Sequence, residues 1–141
     1  MLVKQIMNRS VVTAKPDITL KEASKVMSEF HIGSLIIVKN KKIVGILTSS
    51  DILKAVASDK DPNVTLAEEI MSKNVKTIEP DKDLDDAVLT MIENKIKRLP
   101  VVSGDKLVGI LTASDIIVIE PKLIAKFASL LSLRLPSYSG G

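Results

Sequence analysis

Residues Ile43–Leu53 read IVGILTSSDIL, and residues Leu107–Ile117 read LVGILTASDII. The same offset of 64 positions continues backwards from these stretches without a gap, and 22 positions are identical between residues 6–52 and residues 70–116. Dense identity at a fixed offset indicates that one structural unit has been duplicated. The sequence therefore predicts two copies of one fold within a single chain.

Each copy has the same order of predicted elements. An extended stretch (residues 10–14 and 74–78) ends before Pro16 or Pro80, and an amphipathic helix follows. Two short β-branched runs around a polar turn then predict a hairpin, over residues 35–47 and 99–111. A second helix starts after Thr48 or Thr112. The order is β-α-β-β-α, twice, which places the chain in the α/β (α+β) class.

Helix starts are marked by capping residues. Thr19 and Glu22 form a T-x-x-E capping box, and Asp83 is the equivalent cap in the second copy. One copy of about 60 residues buries too little surface to be stable alone. We therefore expect two pseudo-symmetric repeats that pack through their small sheets, an arrangement in which they can share one core.

The predicted division of the chain has five parts: a first repeat (1–58), a linker (59–64), a second repeat (65–120), a C-terminal amphipathic helix (121–135) and a flexible tail (136–141). The linker is polar and contains a proline. Apolar residues at Leu123, Phe127, Leu130 and Leu131 have the spacing of one helix face, and Pro121 is expected to end the preceding helix.

Composition excludes several classes of site. The 141 residues are 45% hydrophobic and only 2% aromatic, which favours an aliphatic core. The chain has no cysteine and one histidine, so disulfides, thiolate sites and multi-histidine metal sites are excluded. No apolar run reaches the length of a membrane span, and no signal-peptide pattern opens the chain. We expect a cytoplasmic protein with no membrane partner.

Positive charge is mild, with a formal net charge of +3. Small basic clusters at 39–42 and 95–98 lack interleaved aromatic residues, so nucleic-acid binding is disfavoured. This charge suits a small anionic ligand instead.

The two stretches Gly45–Asp51 and Gly109–Asp115 resemble the signature of the cystathionine-β-synthase (CBS) domain family. Residues 97–102 and the two T-x-x-P-D segments, Thr13–Asp17 and Thr77–Asp81, support the resemblance, which covers roughly residues 1–120. It implies a tandem CBS pair, or Bateman module. Such pairs bind adenosyl compounds between the repeats, and they commonly form homodimers through their helices.

The T-x-x-D motif supports two interpretations. Threonine and aspartate at this spacing form a capping box for the helix that follows. Alternatively, the helix start, the hydroxyl and the carboxylate suit the phosphate and ribose of a nucleotide. The two roles are not exclusive, and the resemblance favours a ligand role for Asp115.

The resemblance implies two pockets. The first and preferred pocket would use Met7, Val12, Ile32, Gly33, Ser34, Arg98, Ile110, Thr112, Ser114 and Asp115. The second and weaker pocket would use Ile46, Thr48, Ser50, Asp51, Val75, Lys76, Ile96 and Lys97. Arg98 corresponds to Ser34 in the first copy, and a guanidinium binds phosphate with a planar fork whereas serine offers one neutral donor. The first pocket is therefore predicted to prefer a phosphorylated ligand.

Simpler roles are expected for three other groups of residues. His31 is interpreted as a helix-terminal residue near the negative end of the dipole. Phe30 and the five methionines are interpreted as core residues. None of them is assigned to a cofactor.

The predicted function is regulatory rather than enzymatic. The sequence has no P-loop, no catalytic histidine–carboxylate pair and no carboxylate cluster for Mg²⁺, so we expect no catalytic residue, no metal and no catalytic cofactor. The main hypothesis is a sensor of AMP, ADP, ATP or S-adenosylmethionine that signals to a regulated protein by changing repeat or dimer packing. The alternatives are a ligand-free dimerisation scaffold and, more weakly, RNA or DNA binding.

Overall fold

The computed structural model describes residues 1–131. The first part of the chain forms α1 (Val3–Ile6), β1 (Thr13–Ala14), α2 (Leu20–Phe30), β2 (Ser34–Lys39), β3 (Lys42–Thr48), α3 (Ser49–Ala57) and α4 (Ala67–Ile70). The second part forms α5 (Leu84–Asn94), β4 (Arg98–Ser103), β5 (Lys106–Thr112), α6 (Ala113–Ile119), a 3-10 turn (Pro121–Leu123) and α7 (Ile124–Phe127). Over residues 1–131, every helix is too short or too polar to cross a bilayer.

The elements form two compact units whose bounds differ from those of the sequence repeats. The repeat-1 unit comprises Val11–Lys76 with Asp105–Leu107, and the repeat-2 unit comprises Met1–Ser10, Thr77–Gly104 and the chain from Val108. The first ten residues therefore belong to the second repeat's unit. The segment after α3, including α4, belongs to the first repeat's unit.

The two sheets differ by one strand. In the repeat-1 unit, β1 pairs in parallel with β2, which pairs in antiparallel with β3. In the second copy, β4 and β5 form a two-stranded sheet, and the predicted strand at 74–78 makes only one parallel bridge, from Ile78 to Val101. A further bridge at Thr77 would need the N–H of Pro100, which proline lacks. The first copy has Ile36 at that position, and its bridge to Thr13 forms.

The long helices start at the predicted caps. Thr19 Oγ1 accepts the N–H of Glu22 (3.1 Å), and Asp83 Oδ1 accepts the N–H of Asp85 (2.9 Å). His31 is the left-handed C-cap of α2, as expected for a helix-terminal residue.

The prediction for Phe30 was wrong, because its side chain is 55% exposed. As the last residue of α2, it lies past the buried face formed by Leu20, Ala23 and Met27.

Each unit has its own aliphatic core. The repeat-1 core comprises Leu20, Ala23, Met27, Leu35, Ile37, Leu47, Ile52, Ala55 and Ala67. The repeat-2 core comprises Val3, Met7, Ile78, Leu84, Ala87, Val88, Met91, Leu99, Val101, Leu111, Ala113, Ile116 and Phe127. Three of the methionines are thus core residues, as predicted, whereas Met71 is half-buried and Met1 is 55% exposed.

The C-terminal segment packs onto the repeat-2 core. Phe127 is fully buried there, and Leu123, Leu130 and Leu131 pack against the same cluster. Between Pro121 and residue 131 the chain forms a 3-10 turn, one α-helical turn and a hydrogen-bonded turn. The remainder of the predicted helix, to residue 135, and the predicted tail at 136–141 lie outside the described residues.

Replacing Phe127 with alanine is expected to lower the free energy of unfolding by about 3–5 kcal/mol, because a fully buried aromatic side chain leaves a cavity. The matched control is Ile124→Ala in the same helix, where the side chain is 48% exposed and the expected cost is below about 1 kcal/mol. Urea unfolding of the full chain measures both. Equal effects of the two variants would contradict the packing of this segment.

Candidate functional site

The second T-x-x-D motif lies where β5 passes into α6. Thr112 caps the helix, and its Oγ1 accepts the N–H of Asp115 at 3.1 Å. The carbonyl of Lys97 accepts the N–H of Ala113 at 2.9 Å, which fixes the helix start against the chain that enters β4. The carboxylate of Asp115 is exposed, and no group within residues 1–131 donates a hydrogen bond to it or forms an ion pair with it. Thr112 therefore caps the helix while the carboxylate of Asp115 remains exposed.

The first motif makes the same turn with one additional bond. Thr48 Oγ1 accepts the N–H of Asp51 (3.1 Å), and the carbonyl of Gly33 accepts the N–H of Ser49 (2.9 Å). In return, Asp51 Oδ2 accepts the N–H of Thr48 at 2.9 Å, which completes the capping box. The Asp51 carboxylate is half-buried and already bonded to its own helix start.

In each copy, a segment distant in sequence forms hydrogen bonds with the strand residue two positions before the threonine of the motif. Asn8 exchanges two backbone hydrogen bonds with Ile110, at 2.8 and 2.9 Å, and Ser72 exchanges two with Ile46, both at 2.9 Å. The two isoleucines of the predicted pockets are thus fixed by their backbones. Both side chains stay partly exposed.

Methionines from the same remote segments pack against the strand glycines. A Cβ added at Gly109 would stand 2.6 Å from Met7 Sδ and 3.0 Å from the carbonyl oxygen of Asn8. A Cβ at Gly45 would meet Met71 Sδ in the same way. Met7, predicted as a residue of the first pocket, is 9% exposed and belongs to the repeat-2 core.

Arg98 is the first residue of β4, on the hairpin that ends at Thr112. Its guanidinium is partly buried, and this desolvation lowers the pKa of Arg98. Among the described residues, no group accepts a hydrogen bond from its side chain or pairs with its charge. The equivalent Ser34 is buried and faces Thr48 across the β2–β3 pair. A partly desolvated cation without a counter-charge is chemically suited to accept an anion as its partner.

The remaining predicted residues are spread over both units. Val12 and Ile32 pack against the repeat-1 core, Ile96 packs against the repeat-2 core, Gly33 and Val75 are half-buried, and Lys76, Lys97, Ser50 and Ser114 are exposed. The repeat-2 unit contains Met7, Ile96, Lys97, Arg98, Ile110, Thr112, Ser114 and Asp115, and the repeat-1 unit contains the others. The residues assigned to each predicted pocket are therefore divided between the two units.

A surface hollow of about 330 Å³ lies elsewhere in the repeat-1 unit. It is lined by Lys15, Pro16, Asp17, Val38, Lys39, Asn40 and Glu68, none of which was predicted as a site residue. Its charged side chains are all exposed. The sequence offered no signal for this hollow beyond scattered charges of both signs.

Comparison with known proteins identifies the family. The model of the CBS domain matches residues 3–58 and again residues 67–121. The chain therefore belongs to the CBS domain family and contains two CBS domains, as the repeated motifs predicted. The mixed α/β fold with small sheets is that of CBS domain pairs of known structure.

Two relatives and one structure illustrate the similarity. An uncharacterized protein, MK0525 of Methanopyrus kandleri, is 40% identical over 126 residues, which are 87% of this chain and 64% of the relative. The CBS domain-containing protein YhcV of Bacillus subtilis is 34% identical over 82% of this chain and 83% of its own length. The CBS domain pair of protein MJ0100, solved with 5′-methylthioadenosine and S-adenosyl-L-methionine, is 37% identical with a TM-score of 0.80, over 86% of this chain and 97% of that one. This chain thus spans less than two thirds of the length of the Methanopyrus relative.

Replacing Arg98 with methionine is expected to stabilise the ligand-free chain, because methionine fills the same space without an unpaired, partly desolvated charge. We expect a gain of up to about 1 kcal/mol, or roughly 2–4 °C in melting temperature. Lys97→Met, at the exposed neighbouring residue, is the control and should change little. A lower melting temperature for Arg98→Met would indicate that the guanidinium has a stabilising partner within the protein.

Proposed function

We propose that this chain is a regulatory module that binds an adenosine nucleotide of the AMP, ADP or ATP type, or S-adenosylmethionine, and has no catalytic activity of its own. The ligand signals by changing the packing of the repeats or of a dimer, and so acts on a regulated partner protein. Binding changes that packing only if the ligand has a higher affinity for one arrangement than for the other.

The observation that carries the proposal is the Arg98 guanidinium, which has no partner among residues 1–131 and lies on the hairpin that leads into the T-x-S-D motif of residues 112–115. A ribose offers two neighbouring hydroxyl donors to an exposed carboxylate such as Asp115. A phosphate offers an anion to Arg98, which has none among the described residues. The adenosyl compounds in the structure of the MJ0100 CBS pair support the ligand class. Arg98 of this chain supports the preference for a phosphorylated ligand.

We assign the two predicted sets of site residues to this ligand, including those of the second and weaker set. Ile110 and Ile46 contact the base through their partly exposed side chains, and the hydroxyls of Thr112 and Thr48 contact ribose or phosphate. We further propose a cytoplasmic setting, in which such nucleotides are abundant.

Titration calorimetry of the full chain with AMP, ADP, ATP, S-adenosylmethionine and NADH tests the proposal. We expect saturable binding of at least one adenosine compound, and Asp115→Ala should weaken it about tenfold or more because a charged hydrogen-bond acceptor is lost. The control is Asp105→Ala in the exposed β4–β5 turn. If no compound produces heat or raises the melting temperature, the sensor function is wrong and the scaffold alternative is favoured.

We also propose that the module works as a homodimer. Support comes from apolar side chains on the outer faces of the helices, notably Leu53 (70% exposed) and Val56 (49%) on α3 and Val118 (77%) on α6. Removing such surface from water favours association.

Leu53→Asp is expected to shift the mass of the chain in sedimentation velocity from dimer to monomer, because a carboxylate in an apolar interface is strongly unfavourable. Lys54→Gln at the neighbouring exposed position changes the net charge by the same single unit and is the control. A monomeric wild type, or a dimer unaffected by Leu53→Asp, would contradict this assembly through α3.

A further inference from the structure

The surface hollow of about 330 Å³ in the repeat-1 unit has no role in the proposed function. It lies between the segment that follows β1, the end of β2 and the start of α4. Four charged side chains line it: the ammonium groups of Lys15 and Lys39, and the carboxylates of Asp17 and Glu68. Among residues 1–131, none of these four side chains forms an ion pair. The hollow therefore offers two charges of each sign.

The second repeat shows what the equivalent aspartate binds. At the offset of 64 positions, Asp17 corresponds to Asp81, and Glu68 corresponds to Lys4. Lys4 Nζ forms an ion pair with Asp81 Oδ1 at 2.8 Å. The repeat-2 unit thus holds an ammonium group against this aspartate, and that ammonium group belongs to the chain itself.

The backbone positions residues 4 and 68 in the same way. The N–H of Lys4 donates to the carbonyl of Pro80 at 2.9 Å, and the N–H of Glu68 donates to the carbonyl of Pro16 at 3.0 Å. The local backbone contact is therefore shared, and the charge of the side chain is reversed. Where the second repeat supplies a cation, the repeat-1 unit supplies a second carboxylate. Two neighbouring carboxylates repel each other, and both gain when a cation binds between them.

We propose that this hollow binds a free amino acid. Its ammonium group takes the place at Asp17 and Glu68 that a lysine side chain has in the second repeat, and its carboxylate pairs with Lys15 and Lys39. The site goes beyond the proposed function, because it lies within one unit and its residues belong to neither predicted pocket.

The charges of the hollow favour a zwitterion over other small ligands. A ligand with only positive charge is repelled by the two lysines, and a ligand with only negative charge is repelled by the two carboxylates. A divalent metal ion is disfavoured, because the described residues contain no group of three or more acidic or histidine side chains that could hold one. The volume is at the lower end of the range for small-molecule sites, which suits a ligand of amino-acid size.

Exposure of the lining side chains limits the affinity. All four charged side chains are exposed, so water screens each pair that they form with the ligand. We expect a dissociation constant on the order of millimolar. Occupancy would then follow the concentration of free amino acid over that range.

Amide NMR spectra of the isotope-labelled full chain test the site. Each of the standard L-amino acids is added singly, and ethylamine and acetate serve as ligands with one charge. We expect at least one amino acid to shift the amides of Asp17, Lys39 and Glu68 in a saturable manner. Ethylamine and acetate should bind several-fold more weakly, because each lacks one of the two charged groups.

Two charge-matched variants locate the binding. Glu68→Lys should abolish it, because the new ammonium group can pair with Asp17 as Lys4 pairs with Asp81. The equivalent backbone position in the second repeat already carries a lysine, so this variant is expected to fold. Glu29→Lys makes the same change of charge at an exposed position of α2 outside the hollow, and it should retain binding.

The inference is wrong if no amino acid shifts these amides in the wild type, or if Glu68→Lys binds as tightly as the wild type does. Ethylamine binding as tightly as the amino acids would show that the hollow accepts any small cation, which would also overturn the amino-acid assignment. The calorimetric titration with adenosine compounds addresses other residues, so either proposal can fail while the other stands.

Discussion

Each compact unit depends on a close approach between a strand glycine and a methionine from a distant segment. Met7 lies where a side chain at Gly109 would be, and Met71 lies where a side chain at Gly45 would be. A larger residue at position 109 would also press on the carbonyl of Asn8, whose backbone holds Ile110. The glycine therefore determines whether the remote segment can dock, and the docked segment fixes the strand that leads into the T-x-S-D motif.

The capping residues give that motif two functions at once. A threonine at the N-cap satisfies one helix N–H, and an aspartate at the third helical position can satisfy the N–H of the cap itself. In the first copy both bonds form, and α3 extends over nine residues. In the second copy only the bond to the Thr112 side chain forms, and α6 extends over seven residues. The second copy has the less complete cap and also contains Arg98. An exposed carboxylate and a positive charge therefore occur in the same repeat.

Much of the fold was predictable because its signals are local or repeated. The duplication, the helix caps at Thr19, Asp83, Thr48 and Thr112, and the two hairpins all follow from short sequence patterns. The sequence did not predict that Met1–Ser10 belongs to the repeat-2 unit, or that the segment after α3 belongs to the repeat-1 unit. A repeat boundary in the sequence does not show which copy a segment packs against. The lost strand at residues 74–78 had a signal that was overlooked, namely Pro100 in place of Ile36. Phe30 was misassigned because helical periodicity does not show where the core ends.

The candidate site was also predictable only in part from the sequence. The types and spacing of Arg98, Thr112 and Asp115 are visible in the sequence, and the difference between Arg98 and Ser34 already predicted unequal pockets. The hydrogen bond of Asp51 was not visible in the sequence, since Thr48–Asp51 and Thr112–Asp115 share the T-x-S-D pattern and differ only in Ser49 against Ala113. Whether a carboxylate bonds its own cap depends on a free-energy difference about the size of one hydrogen bond, which local sequence does not determine.

The C-terminal segment shows how a symmetric repeat becomes asymmetric. Ser24 and Ser28 on α2 are exposed, whereas their counterparts on α5, Val88 and Ile92, lie in or against the core that contains Phe127. Apolar side chains at these two positions therefore occur only in the copy where the chain continues into α7. They contribute to the same core in which Phe127 is buried. Comparing the two repeats position by position thus reveals which helix face is covered, because each copy serves as the reference for the other. The same comparison contrasts Ser34, which is buried opposite Thr48, with Arg98, whose partly desolvated charge has no partner within the described chain.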